Sequence, residues 1–278
     1  MARDHIEFVQ VQKIPWSALP SDAARPGVDC RVLSRDRESG AVSVILNYPR
    51  DFEIMREHYL DNAEEFFILD GSLRIGGVHY KKHSYAYLPA GFPRDSMVTS
   101  KGASVLTFFE GIHKNIFESS PGYDRSRLKI VNSVTEGDFL DGVDPKVVGD
   151  GLKKLVLRQD PNNGERTWLL RMGPHNPEVT KDAPLETHPN VEEMYLVSGE
   201  ISMPTGVLTK GAYFWRPGGI QHGPAGTLTG GLMFFRCKGG EFQTYWSEER
   251  YPIVWGAPYR PILPADVKAY LDPPSSGK

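Results

Sequence analysis

Asn62–Gly71 reads NAEEFFILDG, and 128 positions later Asn190–Gly199 reads NVEEMYLVSG. Two copies of one pattern in a single chain imply two copies of one supersecondary unit. The match continues without a gap, because Gly71 is followed after 18 residues by Pro89-Ala90-Gly91 and Gly199 after the same interval by Pro217-Gly218-Gly219. Upstream, Val32–Leu46 (VLSRDRESGAVSVIL) parallels Val156–Leu170 (VLRQDPNNGERTWLL) at an offset of 124. Each copy there reads as a strand, a glycine-containing turn and a second strand. The change of offset puts four extra residues in the second copy between about Met172 and Glu186. Pro174, Pro177 and Pro184 fall in that stretch and predict a loop.

The remainder of the chain agrees with an all-β reading. Its 28 Gly and 22 Pro separate short Val, Ile, Leu, Phe and Tyr clusters too often for long helices. At 278 residues and 40% hydrophobic content, the chain has room for two packed modules. Closed antiparallel barrels suit the repeats, since closure removes vulnerable sheet edges and leaves a lined interior. The expected organisation is a first barrel over residues 1–112, a connecting segment with one short helix over 113–150, a second barrel over 151–250, and an irregular strap over 251–278 whose last residues, PPSSGK, fray.

A net charge of −3 from 32 basic and 35 acidic side chains leaves no basic face for nucleic acid or anionic lipid. Cys30 and Cys237 are far apart without CxxC spacing, which argues against a disulfide framework or a thiolate zinc site and for a reducing, cytoplasmic setting. The opening MARDHIEFVQ is charged early and leads into no long apolar run, so neither a signal peptide nor a membrane span is expected.

The second repeat carries the chemistry. In Glu186-Thr187-His188 two potential ligands stand at i and i+2, which in a strand share a face. Glu192 has the parity of Met194 and Leu196 and is expected inside the barrel, with Glu193 and Tyr195 outside. His222 follows the tight turn at Pro217-Gly218-Gly219, which returns a hairpin partner beside the first pair.

These residues carry a family resemblance. ETHPNVEEMYLVSG is similar to the first cupin motif, two His separated by one residue, then a Glu and a Gly seven positions after it; RPGGIQH is similar to the second, Pro-x-Gly-x-x-His. The resemblance implies a two-repeat cupin, a bicupin of double-stranded β-helix (jelly-roll) barrels, with a divalent metal held by Glu186, His188, Glu192 and His222. Glu186 stands where the family usually has its first His. A second carboxylate favours Fe(II), Mn(II) or Zn(II) over copper. Glu186 is either a fourth ligand or a general base beside a metal held by His188, Glu192 and His222, a two-His-one-carboxylate set of the kind used by non-haem iron oxygenases.

The first repeat is an internal control, with His58, Leu60, Glu64 and Arg94 at the matching positions. A leucine removes one ligand, and an arginine puts a permanent positive charge where the last imidazole should be. Metal binding there is not expected; Arg94 either pairs with Glu64 inside the barrel, the favoured reading, or holds an anionic small molecule. Among other candidates, His175 in the inserted loop reads as solvated, Arg171 as an exposed strand arginine, and His5, His79, His83 and His113 as surface residues. Tyr213, Trp215, Phe234 and Phe235 read as core aromatics.

The leading expectation is an Fe(II) dioxygenase of a diketone, hydroxyketone or oxygenated aromatic, with the protein supplying ligands and a dry cavity. A non-redox isomerase, lyase or C–C hydrolase using the same metal as a Lewis acid is the alternative, and a ligand-sensing cupin the third. The expected partner is a small molecule, with no nucleic acid and no membrane. A two-repeat cupin already contains the barrel pairing that single-repeat relatives form as dimers, so monomer and homodimer are both open.

Overall fold

The computed structural model describes residues 3–18, 25, 27–142, 151–265, 267 and 268. The chain divides into two compact units, one comprising Ile14–Val134 with Arg3, the other Asp4–Lys13 with the chain from Thr135 onward. Both are β structures of the double-stranded jelly-roll type. In the first, the main sheet runs Lys129–Val131, Tyr85–Leu88, Glu64–Ile75, Ala103–Phe109, Val42–Tyr48, Asp29–Arg35 and Ser17–Ala18 across its width. In the second it runs Ile6–Gln10, Ala212–Arg216, Val191–Met203, Gly231–Lys238, Arg166–Met172, Leu152–Gln159 and Leu140–Asp141. The five middle strands correspond one to one, in the same order, as the sequence repeat requires.

Side-chain alternation turns this register into a core. On Val191–Met203, Met194 and Leu196 join Trp168, Phe214, Met233 and Phe235 in the buried apolar cluster of the second unit. Glu192 lies directly across from Arg216, and Met194 from Phe214. Glu193 points the other way, where it accepts hydrogen bonds from the Tyr213 hydroxyl at 2.7 Å and from Arg236 at 2.7 Å. The first unit repeats this outer arrangement, Glu65 accepting from the Tyr85 hydroxyl at 2.6 Å. Gly71 and Gly199 also match: both have positive φ, +72° and +81°, and a Cβ on either would collide with the carbonyl of Gly102 or Gly230. Only glycine fits both demands at a strand kink this close to its neighbour.

Three stretches differ from expectation. Residues 4–13, expected in the first barrel, belong to the second unit, where Ile6–Gln10 pairs antiparallel with Ala212–Arg216. The matching edge of the first unit is taken by Lys129–Val131 on Tyr85–Leu88. The connecting segment therefore contains short strands, Asn115–Ile116 and Leu140–Asp141 among them, with a 3₁₀ turn at Glu136–Asp138; residues 143–150 lie outside the described residues. Edge strands of two or three residues are too short for period-two alternation to register in sequence. The proline-rich insertion ends in a strand, Asp182–Thr187, which pairs with Tyr245–Pro252 and shifts register at Pro184, where the missing N–H cannot serve the ladder. The expected strap begins inside that pairing and continues to Ile262, which bridges to Glu7; its last residues, from 269, lie outside the described residues. Among the described residues, no helix is long and apolar enough to cross a membrane.

Candidate metal centre

Glu186 and His222 face each other across a two-bond backbone bridge, Glu186 N–H to His222 O at 2.9 Å and His222 N–H to Glu186 O at 3.0 Å. The glycine turn before His222 makes this possible, since Gly218 passes so close to the Pro189 carbonyl that a Cβ there would collide with it. Within the barrel the side chains converge. His222 Nε2 is 3.3 Å from Glu186 Oε1 and 3.4 Å from Glu192 Oε2. His188 Nε2 is 3.4 Å from Glu192 Oε1 and 3.7 Å from Glu186 Oε2. Ligand atoms of Glu186, His188 and His222 all lie within 4.8 Å of one another.

The imidazoles are oriented from behind. His188 Nδ1 is 2.9 Å from the Gln243 carbonyl, and His222 Nδ1 is 3.0 Å from the Ile220 carbonyl. A carbonyl accepts only, so each Nδ1 carries the proton and donates it, leaving the Nε2 lone pair aimed into the barrel. Both Nε2 atoms are buried and make no hydrogen bond. Two buried lone pairs without a donor, together with a carboxylate at ligand spacing, fit a divalent first-row metal ion.

Charge points the same way. Arg216 donates to Glu192 and, through Nε and Nη2, to both oxygens of Glu7 at 2.9 and 2.5 Å. With both imidazoles neutral, Glu7, Glu186 and Glu192 exceed the Arg216 guanidinium by two negative charges, of which the Lys154 amine at the cavity wall offsets only one, an expensive arrangement for largely buried groups unless a cation joins it. The ionisation of the bare site reflects this. Burial alone would raise the Glu186 carboxyl, but the adjoining His222 holds it below its usual range. Burial would lower His222, but Glu186 holds it above the ordinary imidazole value. Glu7, despite burial, is held down to about 2 by His5 and Arg216.

A cavity of about 100 Å³ opens beside Glu186 and Glu192. Its walls are mainly apolar, among them Trp168, Leu170, Phe235, Phe242 and Trp246, and Lys154 contributes an amine. Phe242 packs on the His188 ring with centroids 4.5 Å apart. The larger open groove of the first unit, about 520 Å³ beside Arg74 and Lys101, contains no comparable cluster of ligands among the described residues.

All four residues named from sequence are thus neighbours, with Glu192 additionally tied to Arg216. The lesser candidates lie elsewhere. Arg171 pairs with Glu136 and covers the Phe139 ring at 4.5 Å, away from the cavity. His175 is packed rather than solvated: its backbone N–H donates to Thr227 O at 2.7 Å and its Nδ1 accepts from Thr227 N–H at 3.3 Å. His113, expected at the surface, is buried in the first unit and stacks on Phe109 at 3.5 Å; burial lowers it to about 4. His83 is half-buried and stacks on Phe67 at 5.6 Å. Sequence reasoning missed Glu7, Arg216 and Lys154. Arg216 was within reach, because it has the inward parity of Ala212 and Phe214.

In the first unit, Glu64 occupies the position of Glu192 and is gripped by two guanidiniums, Arg94 at 3.0 Å, as expected, and Arg25 at 2.8 Å, which the sequence did not single out. Leu60 and His58 are buried in the same unit.

Fold and site together define a protein with cupin architecture and, among the described residues, one candidate metal centre. The chain belongs to the family described as domain of unknown function DUF4437, which matches residues 6–244. A protein of Nostoc punctiforme named as a proposed dioxygenase has a similar structure, with a TM-score of 0.74 and 22% identity over 89% of this chain and 92% of that one. A variant of Bacillus subtilis oxalate decarboxylase is similar at a TM-score of 0.55 and 15% identity, over 86% of this chain and 79% of that one. At these identities the likeness is one of fold. No curated protein matches the chain in sequence.

Proposed function

We propose that this bicupin is a metal-dependent enzyme in which Glu186, His188 and His222, with Glu192 at their side, hold one divalent ion, and that it is a dioxygenase acting on a small oxygenated organic substrate such as a diketone, hydroxyketone or oxygenated aromatic. The observation that carries the reading is the pair of buried Nε2 lone pairs converging with a carboxylate. Two imidazoles and one carboxylate with open positions are the donor set of non-haem Fe(II) oxygenases, which makes Fe(II) the preferred ion ahead of Mn(II) and Zn(II). Bound there, Fe(II) supplies dioxygen activation and the Lewis acidity that polarises a chelating substrate. The chain's own part is separable from that chemistry. Gln243 and Ile220 hold the imidazole tautomers, Arg216 fixes Glu192, and the aromatic walls exclude water from the reacting end. A fold likeness to a proposed dioxygenase adds modest weight.

One observation favours the non-redox alternative. Glu192 is locked by Arg216 whereas Glu186 is not bound by arginine and borders the cavity. That suits Glu186 to moving a proton on bound substrate, as a Lewis-acid isomerase, lyase or hydrolase requires. Oxygen uptake by Fe(II)-loaded protein with a panel of diketones, hydroxyketones and phenols, lost in His222→Ala, is the expected result. Turnover under strict anaerobiosis, or equal turnover with Zn(II), would replace the oxygenase with the alternative. Metal loading with no turnover of any kind would leave a ligand-sensing cupin.

A further inference from the structure

Lys154 is unlike every other charged residue of the second barrel's interior, because no described acid or carbonyl bonds its ammonium. The strand Leu152–Gln159 sets it opposite Leu170, and its Nζ lies 4.6 Å from the Trp168 ring centroid and 5.4 Å from that of Phe242. Phe242 is the ring that packs against His188, so the ammonium and the candidate ligand lie against the same aromatic side chain. Lys154, Glu186 and Glu192 border one cavity. Burial and the nearby Arg166 bring the amine down to about 8 against the opposing pull of Cys237 and Glu192, as expected of a cation held among apolar walls with no acid bonded to it. The repeat supplies a control: at the 124-residue offset the first barrel has Cys30, a buried core residue, opposite Leu46. The barrel without the candidate metal ligands therefore also lacks the amine.

The charge balance says what the amine is for. A dication would neutralise the excess of Glu7, Glu186 and Glu192 over Arg216, leaving Lys154 as one unmatched positive charge in the cavity wall. We infer that Lys154 is the substrate-binding residue of this site and that it takes the anionic group of a small monoanion, a carboxylate or an acidic enol or phenol, whose apolar part lies against Trp168 and Phe242. This rests on the metal reading above, which supplies the neutral balance, and narrows its substrate class from any oxygenated molecule to an anionic one.

The test compares propionate with propionamide, equal in size and different in charge, by calorimetric titration into the Zn(II)-loaded full chain, with zinc content measured on every sample. Wild type is expected to prefer propionate by tenfold or more. Lys154→Met, which keeps the side-chain length against the two rings, should lose most of that preference at unchanged zinc content, and Lys154→Arg should keep it. A zinc-loaded Lys154→Met chain with the wild-type preference, or a zinc-loaded wild type that binds both probes equally or neither, would overturn the assignment of Lys154 alone. A chain that takes up no zinc would overturn the metal reading and this one with it.

Discussion

Glu64 and Glu192 occupy the same place in two copies of one barrel, and their surroundings are opposite in charge. Glu64 meets Arg25 and Arg94, so that two guanidiniums oversupply one carboxylate. Glu192 meets a single guanidinium, Arg216, which is itself engaged by Glu7, and its neighbours are two imidazoles and a second carboxylate. The backbone is nearly indifferent to the exchange: His58 and Arg94 make the same two-bond bridge as Glu186 and His222. One unit thus has its cation built in covalently, and the other has room and charge for a cation from solution. The fold is a frame, and function follows from a few inward positions.

The largest way to break this contrast is at the imidazoles. His188→Ala or His222→Ala is expected to weaken Zn(II) binding by more than about a hundredfold, exceeding the usual cost of losing an outer-shell partner; a calorimetric titration retaining wild-type affinity would refute it. Next comes Glu64→Ala, which strands two buried guanidiniums and should destabilise the first unit by about 3–5 kcal/mol. Urea unfolding would show the loss, with zinc uptake unchanged. Glu7→Gln should lower Zn(II) affinity by about tenfold, because Arg216 is released from one carboxylate and pulls harder on Glu192. It should also remove an acid-labile contribution. The Glu7 carboxyl is depressed to about 2, so its stabilisation is complete above its ordinary value of 4.5 and disappears as pH falls toward 2. The variant's stability should therefore change less than wild type's across that window.

The smallest effect is a pH dependence. Against the lowering effect of burial, Glu186 holds His222 above the ordinary imidazole value, and the metal needs the neutral ring, so ion uptake must expel a proton. Affinity should rise with pH until His222 has fully deprotonated, and calorimetry in buffers of different ionisation enthalpy would report the released proton. A pH-independent affinity between 5 and 8 would speak against His222 as a ligand.

What could be read in advance was whatever the repeat or strand parity encodes. Glu192 was separable from Glu193 because Met194 and Leu196 mark the inner face, and the spacing of His222 from the glycine turn matched a hairpin return. The rest depends on contacts that neither periodicity nor repetition records. Glu7 reaches Arg216 across 209 positions through an edge strand whose counterpart in the first unit, Lys129–Val131, follows its barrel in the chain and does not precede it. Arg25 belongs to no strand, yet its guanidinium ends beside Glu64. Lys154 stands beside Lys153 on a strand without apolar alternation to mark its face, and the positions of Trp168 and Phe242 show that it turns inward. His113 lies in a connection where no alternation predicts burial, and its stacking on Phe109 is a tertiary event.

The contrast between the barrels reduces to a count of ions. Wild-type chain, Glu64→Ala and His222→Ala, each equilibrated with Zn(II), freed of excess ion and analysed by mass spectrometry of the metal, should contain one, one and no zinc per chain. Two ions in wild type, or one persisting in His222→Ala, would contradict the assignment of a single centre to the second barrel.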